Sequence, residues 1–241
     1  THTYSSPGTY TVKISGLFPR LSLGASDSDA QKLLSIEQWG TNQWTSMSQA
    51  FLGASNLTLN ASDAPNLSNV TDMSAMFQDA ISLNSNLNNW DTSNVTNMAR
   101  TFQGALTFNQ ALNNWDVSNV TNMDSMFRHA TSFNQGLNSW NTANVTNMNM
   151  MFFDAHSFNG DISNWNVSSV TTMSRTFESA SAFNKPIDSW NIINVTDMSY
   201  MFSGAQSFNQ ALNGWNTSNV TNMLEMFAYA NSFNQALNNW D

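Results

Sequence analysis

Tryptophan returns every 25 residues along most of this chain, and five other residue types keep the same step. The tryptophans are Trp90, Trp115, Trp140, Trp165, Trp190, Trp215 and Trp240. Valine, methionine, phenylalanine, alanine and asparagine recur with them, and no insertion or deletion breaks the register between Val70 and Asp241. A repeat this regular predicts a stack of similar coils, because one short unit buries its apolar face only against its neighbours.

Each unit contains two apolar patterns that predict local structure. Apolar residues at i, i+3, i+7 and i+10 predict a helix of about two to three turns over Thr121–Ala130, with equivalents in every unit. Thr121 is placed to act as its N-cap. The pattern L-x-x-W-x-V that ends at Val117 alternates as a short strand does. We therefore predict an α/β repeat solenoid of about eight coils, each with a short helix and a short parallel strand.

The first part of the chain departs from the repeat and is predicted to cover its open end. The segment Trp44–Leu59 is a degenerate copy with a step of 26 residues. Before it, Tyr10–Gly16 alternates like a strand, and residues 23–34 have the pattern of a turn followed by a short helix. We predict an N-terminal capping segment over residues 1–40, a β-hairpin remnant plus a short helix, and the repeat stack over residues 41–241.

The repeated motif N-V-T-[ND]-M-x-x-M-F-x-x-A-x-x-F-N-Q-x-L-N-x-W-[DN]-T-S resembles the repeat of BspA-like leucine-rich-repeat surface proteins. More narrowly, it is similar to the 25-residue surface-lipoprotein repeat of mycoplasmas. The resemblance runs from about Ile36 to Asp241. It implies a leucine-rich-repeat-like solenoid on a cell surface, with a role in adhesion or protein binding and no defined active site. Thr101 and Thr176 depart from the motif where other units have methionine, and each needs a hydrogen-bond partner.

Composition excludes several classes of function. The net charge is −9 and the chain has only 7 Lys and Arg, so no basic patch can follow a nucleic-acid backbone. No apolar run approaches the roughly 18 residues of a membrane span. There is no Cys, and His2, His129 and His156 have no metal-site spacing. No catalytic or phosphate-binding motif is present, so we expect neither an enzyme nor a bound cofactor.

A polar column next to the tryptophans is the predicted ligand surface. It continues from unit to unit on the predicted strand face, where its amides and carboxylates suit hydrogen bonding to a protein or a glycan. Its residues are Asp91, Asn113, Asn114, Asp116, Asn141, Asn166, Asn191 and Asn216. A Ca²⁺ ion bound by this column is an alternative, since oxygen ligands suit that ion. The other interpretation is a ladder of solvated turn residues.

Three functions follow from the repeat. The first is an extracellular, cell-surface protein that binds a surface protein or glycan, and the second is a structural stalk or spacer in a larger surface protein. The third is an ice-binding solenoid, because threonines recur with the repeat, although helix capping explains a single column better and a flat two-column array is not evident. The chain stops at a repeat boundary, so further repeats or another domain are expected after Asp241. We also predict that the tryptophan column is buried.

Overall fold

The computed structural model describes residues 5–23 and 27–240 of the 241-residue chain. Within these ranges the regular elements are one helix and two strands: α1, Asp27–Ala30; β1, Ser35–Ile36; and β2, Thr58–Leu59. The strands β1 and β2 pair in parallel. All three elements precede the regular units, which are built from tight turns.

Successive coils are joined by single parallel bridges one repeat apart. The bridges between regular units link Asp72, Asn97, Asn122, Asn147, Thr172, Asp197 and Asn222 in turn. Beside them, the backbone N–H of each threonine from Thr96 to Thr221 donates to the threonine carbonyl of the preceding coil at 2.9–3.0 Å. Because every coil repeats these bonds, the main chain holds the stack together along its whole length.

The predicted helix in each unit is wrong. Alternate N–H groups from Met123 to His129 donate to carbonyls of the next coil, at 2.7–3.0 Å. Between them, the N–H groups of Met126 and Arg128 donate three residues back within the same coil, at 3.2 and 3.1 Å. An α-helix would send every one of these bonds four residues back along its own chain. The segment is therefore a series of turns whose free donors bind the neighbouring coil.

Backbone dihedral angles show why a helix does not form. Ser125 and His129 have positive φ angles of 55° and 57°, and the same two positions recur in the other coils. The left-handed region cannot continue a right-handed helix. Gly104 and Gly204 occupy the second of these positions, with φ angles of 69° and 71°. Glycine reaches that region without a steric penalty, so these two residues suit the turns that they form.

The predicted strand in each unit is also wrong. The N–H of Trp115 donates to the carbonyl of Leu112, and that of Val120 donates to Val117, at 3.1 and 2.9 Å. These are turns closed within one coil, whereas a strand would use the same groups to pair with its neighbour. The repeat units are thus stacked coils without regular helices or strands, and the α/β, leucine-rich-repeat-like architecture is not the one observed.

The core consists of side-chain columns that run along the stack. One phenylalanine column, from Phe77 to Phe227, has ring centroids 5.5–5.8 Å apart between coils. A second column, from Phe108 to Phe233, stacks against it. Trp90 to Trp215 are only 1–4% exposed, which confirms the predicted burial of the tryptophan column.

Polar groups inside the stack have partners in neighbouring coils. The indole Nε1 of Trp115 donates to the carbonyl of Leu87 at 2.9 Å, and the tryptophans that follow make the same bond. The single hydroxyl hydrogen of Thr176 is shared between the carbonyl oxygens of Met148 and Met173, which lie 3.0 and 2.8 Å from Oγ1. Thr101 makes the corresponding pair of bonds. The two threonines that replace methionine are therefore satisfied, as predicted.

The N-terminal segment forms no hairpin in residues 5–23. Residues 5–17 are exposed, and the one bridge in this range joins Arg20 to Ser46 in parallel. Further along, Phe18, Leu21 and Leu23 pack against the core. The boundary at residue 40 stays a prediction, and residues 1–4 and 24–26 lie outside the described part of the chain.

Candidate functional site

The predicted ligand column is exposed, but its side chains also close local turns. Asp91, Asp116, Asn141, Asn166, Asn191 and Asn216 are all exposed, and each accepts a hydrogen bond through Oδ1 from the N–H two residues later, at 2.9–3.3 Å. This is the geometry of an Asx turn. The Ser93 hydroxyl and then the Ser93 N–H hold the pKa of Asp91 below its ordinary value. The column thus contributes to the structure of every coil.

The two adjacent asparagines of this prediction are exposed too, but their bonds differ from those of the column. Asn113 and Asn114 are exposed, and the Nδ2 of Asn113 donates to the Oδ1 of Asn114 at 3.2 Å. The N–H of Asn114 donates to the Oδ1 of Asn88 in the preceding coil at 2.9 Å. Among the described residues, no three His, Cys, Asp or Glu side chains come together as a metal site would require. Ligand and calcium binding by this column remain predictions.

Two further polar columns, which hardly vary between units, link one coil to the next through side chains. From Asn84 to Asn209, each Oδ1 accepts the N–H of the asparagine 25 residues later, at 2.8–3.0 Å. In the column that includes Asn119, the amide donates to a carbonyl of the preceding coil. Residues that recur from unit to unit are therefore occupied in stacking, which turns attention to the positions that vary.

Four positions in each unit change freely in size and charge, and they lie together. We call them the variable turn surface: the positions equivalent to Asp124, Ser125, Arg128 and His129 in the coils from Val95 to Ala230. Gly104, Ser125, Ser199 and Ser203 are buried, and the remaining residues at these positions are partly or fully exposed. All belong to the segment of turns that replaces the predicted helix. Their backbone N–H and carbonyl groups stack the coils whichever side chain is present, although some side chains also bond between coils, as Asn149 Nδ2 does to Asp124 Oδ1 at 2.8 Å. A fixed scaffold with one changeable face is how repeat proteins build binding surfaces.

Charged and aromatic side chains connect neighbouring coils across the variable turn surface. The guanidinium of Arg175 lies 4.2 Å from the ring centroid of Tyr200 and donates to the carboxylate of Glu178 at 2.8 Å. Nδ1 of His129 lies 3.1 Å from the carboxylate of Asp154. Cation–π pairs and ion pairs of this kind fix long side chains in defined positions. The surface is therefore organised before any partner arrives.

Burial shapes the electrostatics at the centre of this surface. Desolvation raises the pKa of Glu178 above its ordinary value, and the carboxylates of Asp154 and Glu225 act in the same direction. The guanidinium of Arg175 opposes them without cancelling the effect. A half-buried carboxyl with a raised pKa beside ordered cations is a common feature of functional surfaces.

Sequence reasoning missed this surface because it looked for columns that stay constant. Arg100, Arg128 and Arg175 all lie on it, although the whole chain has only 7 Lys and Arg. Aromatic residues also collect there, and Tyr229 is 79% exposed. A position-by-position comparison of the units would have revealed it, since these positions vary while the apolar and asparagine columns hardly do.

The stacked coils, the polar columns that link them and the variable turn surface define a tandem-repeat protein made of 25-residue units. Residues 24–138, 107–193 and 155–241 match the family DUF285, described as Mycoplasma protein of unknown function. The chain belongs to this family. This match agrees with the resemblance to the mycoplasma repeat. It does not confirm the resemblance to BspA-like leucine-rich repeats. Among curated proteins, no sequence matched the chain.

The described residues contain no helix with the length and apolar character needed to cross a bilayer. The helix α1 has only 4 residues.

Proposed function

We propose that this chain is a non-catalytic binding module of an extracellular surface protein, and that it binds a protein or glycan through the variable turn surface. The observation that carries the proposal is that the recurring positions and the variable positions of each unit have different roles. Recurring side chains bond coil to coil, whereas the positions that vary hold three of the four arginines, two tyrosines and several ion pairs. The extracellular location rests on the resemblance of the repeated motif to surface-lipoprotein repeats.

Binding to arrays of purified extracellular proteins and of glycans tests this proposal. One variant combines Arg100→Gln, Tyr200→Ser and Tyr229→Ser on the variable turn surface. Its matched control combines Asp91→Ser and Asp116→Ser on the column first predicted from the sequence. Because serine and glutamine keep the backbone bonds intact, both variants should fold.

We expect the wild type to bind at least one array member, the surface variant to lose that binding, and the control to keep it. Loss in the control instead would move the site to the column from Asp91 to Asn216. A folded wild-type chain that binds no member of either array would contradict the proposal and support the spacer function.

One observation favours ice binding as a second candidate. Asn119 and Thr121 are both exposed on either side of the buried Val120, so they form two parallel columns, one more than the sequence suggested. The threonine hydroxyls donate to the preceding coil at 3.1–3.3 Å, which replaces the predicted N-cap role. A thermal-hysteresis measurement decides this case, with Thr121→Lys and Thr146→Lys in the middle of the array as the disrupting change.

A further inference from the structure

Three arginines lie on the variable turn surface, and one of them has no acid partner. The guanidinium of Arg100 lies 3.7 Å from the carboxylate of Asp124, and that of Arg175 lies 2.8 Å from Glu178. No carboxylate of the described residues lies within 4 Å of the Arg128 guanidinium. Its Nε is buried and has no hydrogen-bond acceptor. Among these three cations, Arg128 is the one without an ion-pair partner in the described part of the chain.

An aromatic ring lies against this cation where an acid would otherwise pair with it. The Arg128 guanidinium lies over the ring of Phe153, 5.1 Å from its centroid, and Phe153 is half-buried. Met150 belongs to the same turn as Phe153, since the N–H of Phe153 donates to its carbonyl at 3.1 Å. A guanidinium held against a ring is a preformed recognition group, because its planar donors match a carboxylate with two hydrogen bonds.

We infer that Arg128 is the anchor for one Asp or Glu side chain in a segment of a partner protein. An apolar side chain next to that acid packs on Phe153 and Met150. This inference rests on the proposed binding function and names its ligand. It also explains why the partner is not a polyanion: the chain carries a net charge of −9, and Asp154 and Glu178 lie on the same surface. A lone carboxylate beside an apolar group meets less repulsion than a series of charges.

Selection from a library of random linear peptides on the immobilised full chain tests the inference. We expect the selected peptides to share an Asp or Glu adjacent to an apolar residue. The best of them should bind Arg128→Gln at least about tenfold more weakly, since a charge-assisted hydrogen bond contributes about 1.5–3 kcal/mol. The matched control Lys32→Gln removes a cation that lies outside the variable turn surface and already has an acid partner, Asp29, so it should leave the affinity unchanged. Circular dichroism and melting temperature establish that both variants fold.

A double-mutant cycle identifies the contact. Replacing the acid of the best peptide by its amide should cost the same affinity as Arg128→Gln, and the two changes together should cost little more than either one. Arg128→Lys keeps the charge and loses the paired donors, so it should recover only part of the affinity.

The inference fails if the selected peptides lack a shared acid, if Arg128→Gln binds them as the wild type does, or if no peptide is enriched. These results are separable from failure of the proposed function. An array partner whose binding depends on Tyr200 and Tyr229 but not on Arg128 would leave the function standing without this anchor. If the peptides show the expected double-mutant coupling but no array member binds, the inference about Arg128 would stand and the proposed function would fail.

Discussion

Replacing Trp165 with alanine should remove a large part of the stability of the stack. Trp165 is 4% exposed, its ring lies between those of Trp140 and Trp190 at 6.1 and 6.2 Å, and its Nε1 donates to the carbonyl of Leu137 at 2.9 Å. A tryptophan buries about 150–250 Å², which at about 25 cal/mol per Å² amounts to roughly 4–6 kcal/mol.

Two smaller contributions adjust that number. Freeing the side chain returns up to about 1–2 kcal/mol of conformational entropy, and leaving the Leu137 carbonyl without its donor costs about 1–3 kcal/mol. These two contributions are of similar size and opposite sign, and the area counted from an extended unfolded chain is an upper bound, so the expected loss for Trp165→Ala is about 3–5 kcal/mol, in the range measured for large-to-small core changes. For a chain of this size that corresponds to a fall in melting temperature of roughly 6–20 °C.

The matched control is Trp240→Ala. Trp240 makes the same Nε1 bond, to the carbonyl of Leu212 at 2.9 Å, but it is only partly buried and stacks on one tryptophan, Trp215, at 6.3 Å. Its loss should cost about half as much or less, because about half of the contact area is removed. Urea unfolding followed by fluorescence measures both variants. Equal losses at the two positions, or less than about 1 kcal/mol for Trp165→Ala, would refute the stacking argument.

Three further changes test other parts of the structure by thermal or urea unfolding. Ser179 has a φ of 58°, so Ser179→Gly should raise the free energy of unfolding by about 0.5–1 kcal/mol, whereas a helix there would lose about that much. Thr176→Val should cost about 0.5–1.5 kcal/mol by removing the two hydroxyl bonds, and an unchanged stability would show that they contribute nothing. The raised pKa of Glu178 means that the folded chain binds more protons than the unfolded chain between pH 4.5 and the raised pKa, so the contribution of Glu178 to stability is lost as pH rises through that window. Glu178→Gln should remove that part of the pH dependence, and a parallel profile in both proteins would contradict it.

The sequence predicted the stack and its core because the buried positions follow the apolar repeat, whether the backbone forms helices or turns. The columns that contain Trp165 and Phe177 lie in the core for this reason. The absence of a helix was not predictable from the same signal, since turns that close three residues back place apolar residues at nearly the same spacing. Gly104 and Gly204, next to the last residue of the would-be helix, were only a weak warning, because glycine is common at helix C-termini. The bonds that stack the coils involve residues about 25 positions apart, which no local pattern reports.

The site was harder to predict than the core, for a related reason. The column that begins at Asp91 looked like a ligand surface because it repeats, and the ladder that contains Asn159 repeats in the same way. In the structure, Asp91 binds the N–H of Ser93, and Asn159 binds the N–H of Asn184. A polar residue that recurs in every unit is explained by a bond that recurs in every unit. Ligand specificity requires no such period, which is why the proposed binding surface consists of positions that differ from coil to coil.

Backbone strain supports the same division. Met150, Arg175, Tyr200 and Glu225 occupy one position in successive coils, with φ angles of 50–59°. Left-handed geometry costs such residues about 1–2 kcal/mol each, and glycine would avoid it. The stacking bonds there are made by the backbone, so glycine would keep them. Stacking does not require large side chains at these strained positions. Their presence there supports a role at the surface, because an observed backbone strain is a reason to propose a function.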